Sequence, residues 1–203
     1  MRKFSAIVLL TFCASAAFAQ SGGGDRLDKN VSMFEGKEFA YVIYPPAGYE
    51  LVTDEAVEAG YSMAYIPKWQ KYENAHIVID INIFKMTNTA ADDAFITTLV
   101  AEDIKMLKKQ YGSGLTVRAV DSIYNANGKL VPTFYFNDTT RFIPTVMMSY
   151  FNGKSEIIIF QLSIGKTQKR VEAEEIYLDC VSSFKSLIKG DINERNKKLG
   201  RKD

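Results

Sequence analysis

The residues best suited to chemistry are few, and three of them share one stretch. Residues 75–86 read AHIVIDINIFKM, where alternation places His76, Asp80 and Asn82 on one face of a predicted strand. An imidazole and a carboxylate are common acid–base groups. One hypothesis is therefore a small hydrolase or other enzyme that uses a polar cluster around His76. The alternative, which we favour, is the solvent-facing side of a half-exposed sheet.

Other catalytic and ligand-binding patterns are missing from the sequence. His76 is the only histidine, so no pair of histidines can ligate a metal. Cys180 falls in an amphipathic helical pattern, which predicts a small buried thiol rather than a nucleophile. The segment 112–114 (GSG) lacks the strand-turn-helix setting of a nucleophile elbow, and the glycines form no phosphate loop or dinucleotide motif. We predict no catalytic residues, no metal site and no cofactor.

The composition is that of a soluble globular protein without an electrostatic bias. The chain has 203 residues, 47% of them hydrophobic, which is enough for one domain with a real core. It carries 25 basic and 24 acidic side chains, a formal net charge of +1. Such a balance does not favour nucleic acid as a partner.

The N-terminus has the features of a secretion signal. Arg2 and Lys3 precede an apolar run from Phe4 to Phe12, and small residues end the segment at Ala19. The run is shorter than the roughly 20 residues that span a bilayer. We predict a signal peptide at 1–19, cleaved after Ala19, a periplasmic or secreted protein, and no integral membrane segment in the mature chain.

The mature chain is predicted to contain one domain between two flexible ends. Residues 20–30 (QSGGGDRLDKN) form a flexible leader, and residues 31–190 a single α+β domain. Residues 191–203 form a charged flexible tail. Because Cys13 belongs to the signal, Cys180 has no intramolecular disulfide partner in the mature chain.

Large amphipathic rings are concentrated between residues 61 and 72. Tyr61, Tyr65, Trp69 and Tyr72 fall around the breaker Pro67. Such rings offer much contact area at low conformational cost, so the segment is a candidate platform for a partner or ligand. The other interpretation, which we favour, is that the rings pack a long loop onto the sheet.

The strand at 75–86 organises the predicted fold. Its four isoleucines lie on one face and need an apolar cover. We expect the amphipathic helix that follows, which ends near Tyr111, to cover them. A capping box at 89–92 (TAAD) begins that helix, and Gly112 suits its left-handed cap.

Further elements follow from turn residues. The strand 39–44 must end at Pro45-Pro46, and residues 53–59 form one helical turn before Gly60. Hairpins are predicted at 115–137, with Pro132 at an edge or bulge, and at 142–164, with Met147 opposite Ile158. The second hairpin is apolar on both faces and should be central. A last helix is predicted over 167–188.

This order of elements resembles the PsbP/DcrB-like family. The motifs that carry the resemblance are YVIYPPAGY at 41–49, the NGK hairpin at 152–154 with the apolar run 157–162, and SSF at 182–184. The resemblance covers roughly 34–189. It implies an α-β-α sandwich around a predominantly antiparallel sheet, and a small envelope or lumenal protein, often accessory to a larger assembly. It implies no catalytic residues.

Two functional hypotheses remain. The first, which we favour, is an exported non-enzymatic accessory or binding protein with a protein partner in the cell envelope, contacted through a surface that includes Tyr65, Trp69 and Tyr72. The second is the enzyme with a cluster around His76.

Overall fold

The computed structural model describes residues 31–35, 39–86, 93–153 and 155–188. The signal peptide, the leader, the capping box at 89–92 and the tail at 191–203 lie outside these residues. The elements, in chain order, are β1 (Ser32–Glu35), β2 (Phe39–Ile43), β3 (Tyr49–Val52), α1 (Asp54–Glu58), β4 (Met63–Pro67), a 3₁₀ turn (Tyr72–Asn74), β5 (Ile77–Lys85), α2 (Asp93–Tyr111), β6 (Leu115–Val120), β7 (Thr133–Asp138), β8 (Thr145–Asn152), β9 (Glu156–Ile164), α3 (Arg170–Ser183) and β10 (Lys185–Ile188).

The described strands form two sheets, and the larger has the order β3-β4-β5-β9-β8-β7-β6 with every neighbouring pair antiparallel. β5 and β9 lie in its middle and pair from Ile77 opposite Ile164 to Lys85 opposite Glu156. Every residue of β9 is buried, as expected for a strand covered on both faces. The prediction of an α+β fold, a mainly antiparallel sheet flanked by helices, is confirmed.

The isoleucine row of β5 is buried, but not beneath the helix that follows it. Ile77, Ile79 and Ile81 share one core cluster with residues of α3, including Tyr177 and Val181. α2 packs on the opposite face of the sheet, where its apolar stripe meets residues of β7, β8 and β9. The predicted cover is therefore wrong. A strand presents two faces, and the order of elements along the chain does not say which face a helix will cover.

A smaller sheet, β1-β2-β10, completes the layer on the α3 side. The prediction that the last helix runs to Ile188 is wrong, because α3 ends at Ser183 and the chain turns extended at Phe184 (φ −62°, ψ 128°). The Phe184 ring packs into the core with its centroid 4.2 Å from that of Phe151. Burying this ring redirects the chain so that β10 pairs with β2.

The two hairpins form in the predicted places, with differences in detail. β8 and β9 pair with Met147 opposite Leu162, four residues from the predicted register, because the turn is longer than two residues. An even shift keeps each side chain on its predicted face, and both strands are buried as expected. Between β6 and β7, Pro132 immediately precedes β7 and contributes only its carbonyl, which accepts the Tyr150 amide N–H at 3.0 Å.

Candidate functional site

The four rings predicted as a binding platform do not share a surface. Residues 63–67 form strand β4 rather than a loop, and this places Tyr65, with no exposed surface, in the core. Tyr72 is 8% exposed and packs beneath α1, while Tyr61 is partly buried beside it. The prediction that Tyr65 and Tyr72 belong to an exposed binding surface is therefore wrong, because these two rings pack against the sheet. Of the four, only Trp69 faces solvent.

Trp69 is the tip of the loop 67–71, which connects β4 to the 3₁₀ turn. Its side chain is 97% exposed, and its backbone has φ +70°, in the left-handed region that is costly for a side chain with a Cβ atom. Two backbone hydrogen bonds hold the turn. The Gln70 backbone N–H donates to the Pro67 carbonyl (3.2 Å), and the Lys68 backbone N–H donates to the Gly48 carbonyl (2.8 Å). The ring thus stands in solvent on a fixed backbone.

A side-chain clamp joins this loop to the start of β5. The Gln70 side-chain oxygen accepts the His76 amide N–H at 3.2 Å, and its nitrogen lies 3.4 Å from His76 Nε2. The His76 carbonyl in turn accepts the amide N–H of Gly165, which follows β9, at 2.7 Å. His76 therefore lies exposed at the end of the sheet, engaged with the Trp69 loop.

The predicted polar cluster around His76 is not formed. Asp80 is only 2% exposed, in contrast to the solvent-facing position that we favoured. It lies four residues along the strand from His76, a separation of roughly 13 Å at 3.3 Å per residue. Its Oδ1 accepts a 2.7 Å hydrogen bond from the Tyr72 hydroxyl. Asn82 is partly buried further along β5. The structure thus disperses the groups that the enzyme hypothesis requires.

Asp80 instead lies among other buried polar side chains. Desolvation by burial raises its pKa from 3.8 to about 7, although the Tyr72 hydrogen bond lowers it. Gln161, directly opposite on β9, donates from its amide nitrogen to the Tyr61 hydroxyl and to the Ser163 hydroxyl, each at 3.2 Å. Sequence alternation located these positions, but their cover comes from α1 and the 3₁₀ turn.

The remaining candidate groups give no reactive arrangement. Cys180 is a free, buried thiol as predicted, and burial raises its pKa. Among the described residues, no three His, Cys, Asp or Glu side chains come together as a metal site requires. None of the described helices is long and apolar enough to cross a membrane.

Comparison with known proteins finds a similarity of structure but not of sequence. No protein-family model and no curated protein matches the chain. Among solved structures, the solution structure of cyanobacterial PsbP (CyanoP) from Synechocystis sp. PCC 6803 is similar, with a TM-score of 0.51 over 88% of this chain and 99% of that chain. The chain has a PsbP-like fold. At 11% sequence identity this likeness concerns the fold alone.

No sequence pattern indicated a group of cationic side chains at the end of the sheet that also carries the Trp69 loop. Arg141 follows β7, Lys166 follows β9, and Arg170 begins α3. Lys166 and Arg170 belong to the same connection between β9 and α3, but Arg141 comes from the connection between β7 and β8, so only the strand order brings the three to one cleft.

Proposed function

We propose that the protein is an exported, non-enzymatic accessory protein that binds a protein partner of the cell envelope through the loop 67–71, with Trp69 as the central contact. The observation that carries the proposal is the 97% exposure of Trp69. A ring in this position contributes almost no burial to folding, whereas tryptophan is among the residues most enriched at binding hot spots.

The backbone of Trp69 strengthens this argument. A left-handed conformation costs a non-glycine residue about 1–2 kcal/mol, and the Trp69 side chain returns no packing energy to offset it. Strain held at an exposed position is typical of functional sites. Lys68 and Lys71 are exposed on either side of the ring, so a partner with an apolar pocket and an acidic rim would complement the loop.

Export and the lack of catalysis are parts of the same proposal. Arg2, Lys3 and the apolar run that ends in small residues at Ala19 support a cleaved signal and a periplasmic or secreted protein. The separation of His76 from Asp80, and the burial of Cys180, support a binding role over an enzymatic one. The PsbP-like fold is consistent with an accessory role.

The test is crosslinking in the native cell envelope followed by measurement with purified components. A photoreactive phenylalanine analogue at position 69 should crosslink to one partner. The same analogue at Tyr124, an aromatic residue that is 53% exposed in the hairpin at the other end of the sheet, is the matched control. The partner should bind the purified protein, and Trp69→Ala should weaken its Kd by about thirtyfold, as for a hot spot of about 2 kcal/mol.

Two results would reject the proposal. One is an adduct pattern at position 69 identical to that at position 124, which indicates collisional labelling. The other is a Kd unchanged by Trp69→Ala in a folded variant. Tyr65→Phe is a further control: it changes a ring of the same segment that lies in the core, and it should leave the Kd unchanged.

A further inference from the structure

A cleft of about 220 Å³ opens at the end of the main sheet, where β7 and β9 end and α3 begins. Its polar lining includes Arg141, Lys166 and Arg170, with Asp138 as the one carboxylate. Three positive charges and one negative charge give the lining a net charge of +2. This excess is local, because the whole chain carries a formal net charge of only +1.

The carboxylate of Asp138 is already fully engaged. Its Oδ1 accepts from the Thr140 amide (2.9 Å) and hydroxyl (2.7 Å), and its Oδ2 accepts from Arg141 Nε (2.9 Å). Hydrogen bonds from Thr140, and then the bond and charge of Arg141, lower the pKa of Asp138 to about 2. Asp138 therefore stays ionised and positions Arg141, whose side chain remains 47% exposed.

Arg170 is a fixed cation on the opposite side of the cleft. Its Nη1 donates to Asn137 Oδ1 (2.6 Å) and Tyr135 Oη (3.1 Å), and its Nη2 donates to the Phe136 carbonyl (3.3 Å). Its guanidinium carbon also lies 5.2 Å from the centroid of the Tyr135 ring. Among the described residues no acceptor bonds its Nε–H, and Glu174, the carboxylate that interacts electrostatically with Arg170, lies outside the lining of the cleft.

Lys166 completes the set from the loop after β9. Its Nζ lies 6.0 Å from the centroid of the Phe142 ring, and the side chain is otherwise exposed. The hydrogen bond from the neighbouring Gly165 amide to the His76 carbonyl holds the base of this loop on β5. A flexible ammonium group at the mouth of a cleft that holds two guanidinium groups is suited to enclosing an anion.

We propose that this cleft binds a phosphate group, with Arg170 as the fixed anchor and Arg141 and Lys166 as its other ligands. A phosphate carries a charge near −2 and three or more acceptor oxygens, which match the net charge and the three cations. A carboxylate supplies one charge and two oxygens, and so leaves one cation unpaired. The group is either free phosphate or the phosphate of a lipid headgroup.

The first test is titration calorimetry of the purified exported protein with inorganic phosphate and, separately, with acetate. Phosphate should bind saturably, with a Kd of about 1 mM or tighter that weakens as salt rises. Arg170→Gln and Lys166→Gln should each weaken the Kd about tenfold. Lys129→Gln, which removes an equal charge from the exposed hairpin at the other end of β7, should leave it unchanged.

Sedimentation with vesicles then identifies the source of the phosphate. Binding to phosphatidic acid vesicles that fails on phosphatidylcholine, and that Lys166→Gln abolishes, assigns a lipid headgroup. Binding of inorganic phosphate without vesicle binding assigns the free anion. If Arg170→Gln fails to fold, Lys166→Gln decides the test, because the described structure gives the Lys166 ammonium no hydrogen-bonded role.

Three results would overturn the proposal: no saturable binding of inorganic phosphate together with no binding to phosphatidic acid vesicles, acetate binding as tightly as phosphate, or equal losses in Lys129→Gln and Lys166→Gln. Trp69→Ala should not change phosphate binding, so failure of the cleft and failure of the Trp69 loop can be told apart.

Discussion

Asp80 gives the sharpest quantitative prediction, because a carboxylate buried without a cation should weaken the fold as it ionises. Its pKa is about 7 in the folded protein against 3.8 as the reference value. The folded state therefore holds the proton more tightly than the unfolded state. The contribution of Asp80 to stability is therefore most favourable below pH 4, falls as pH rises from 4 to 7, and levels off above 7.

The magnitude follows from the shift of about three pKa units at 1.36 kcal/mol each. Ionisation of Asp80 should cost the fold about 1.5 kcal/mol at pH 5 and about 4 kcal/mol at pH 8. Asp80→Asn is neutral, nearly the same size, and still accepts from the Tyr72 hydroxyl. This variant should exceed the wild type in unfolding free energy, by about 2–3 kcal/mol more at pH 8 than at pH 5.

The assay is urea unfolding between pH 5 and pH 8, followed by far-UV circular dichroism, since the single tryptophan is exposed in the folded state and its fluorescence is a poor reporter. Comparing variant with wild type cancels other groups such as Asp103, whose pKa is also raised by burial. Exposed Asp179→Asn should change stability by no more than about 0.5 kcal/mol. An Asp80→Asn effect that is the same at pH 5 and pH 8, or that is destabilising at pH 8, would refute the reasoning.

Two further predictions concern single side chains. Trp69→Gly should stabilise the protein by about 0.5–1 kcal/mol in urea unfolding, since glycine adopts φ +70° without steric cost, while partner binding is lost; a destabilised variant would mean that the ring contributes to folding. Tyr177→Phe should cost about 1–3 kcal/mol, because the fully buried hydroxyl donates to the Phe160 carbonyl (2.9 Å) and lies 2.8 Å from Ser149 Oγ. Unchanged urea stability would show that this contact contributes nothing.

Local patterns predicted much of the fold. Alternation in β5 and in the β8–β9 hairpin is a property of the chain itself. The isoleucine face of β5 and both faces of the hairpin were therefore correctly predicted as buried, even where the register was four residues out. The end of α2 was also correct, since Gly112 adopts the expected left-handed conformation (φ +82°). These features depend on neighbours within a few residues.

The errors arise where distant contacts decide the conformation. Proline and tyrosines made residues 61–72 look like a loop, but pairing with β3 and β5 makes 63–67 a strand. α3 ends at Phe184 because the Phe184 ring packs against Tyr41 and Phe151 in the core. Helical periodicity in the sequence does not predict these contacts. Asp80 was predicted to be exposed because the pattern of β5 alone does not show what covers its polar face. Tyr72 and α1, which belong to other parts of the chain, provide that cover.

The strand order also places the two proposed sites beside each other at the same end of the sheet. β5 and β9 are neighbouring strands, about 4.8 Å apart, and the Trp69 loop precedes one while the Lys166 loop follows the other. The His76 amide N–H donates to the Gln70 side chain, and the His76 carbonyl accepts the Gly165 amide N–H. A chain of two hydrogen bonds through His76 therefore connects the loops. A partner that covers a standard patch of about 800 Å² around Trp69 would extend toward the cleft. Phosphate in the cleft would then neutralise part of the positive field that such a partner meets, and should lower the association rate of an acidic partner.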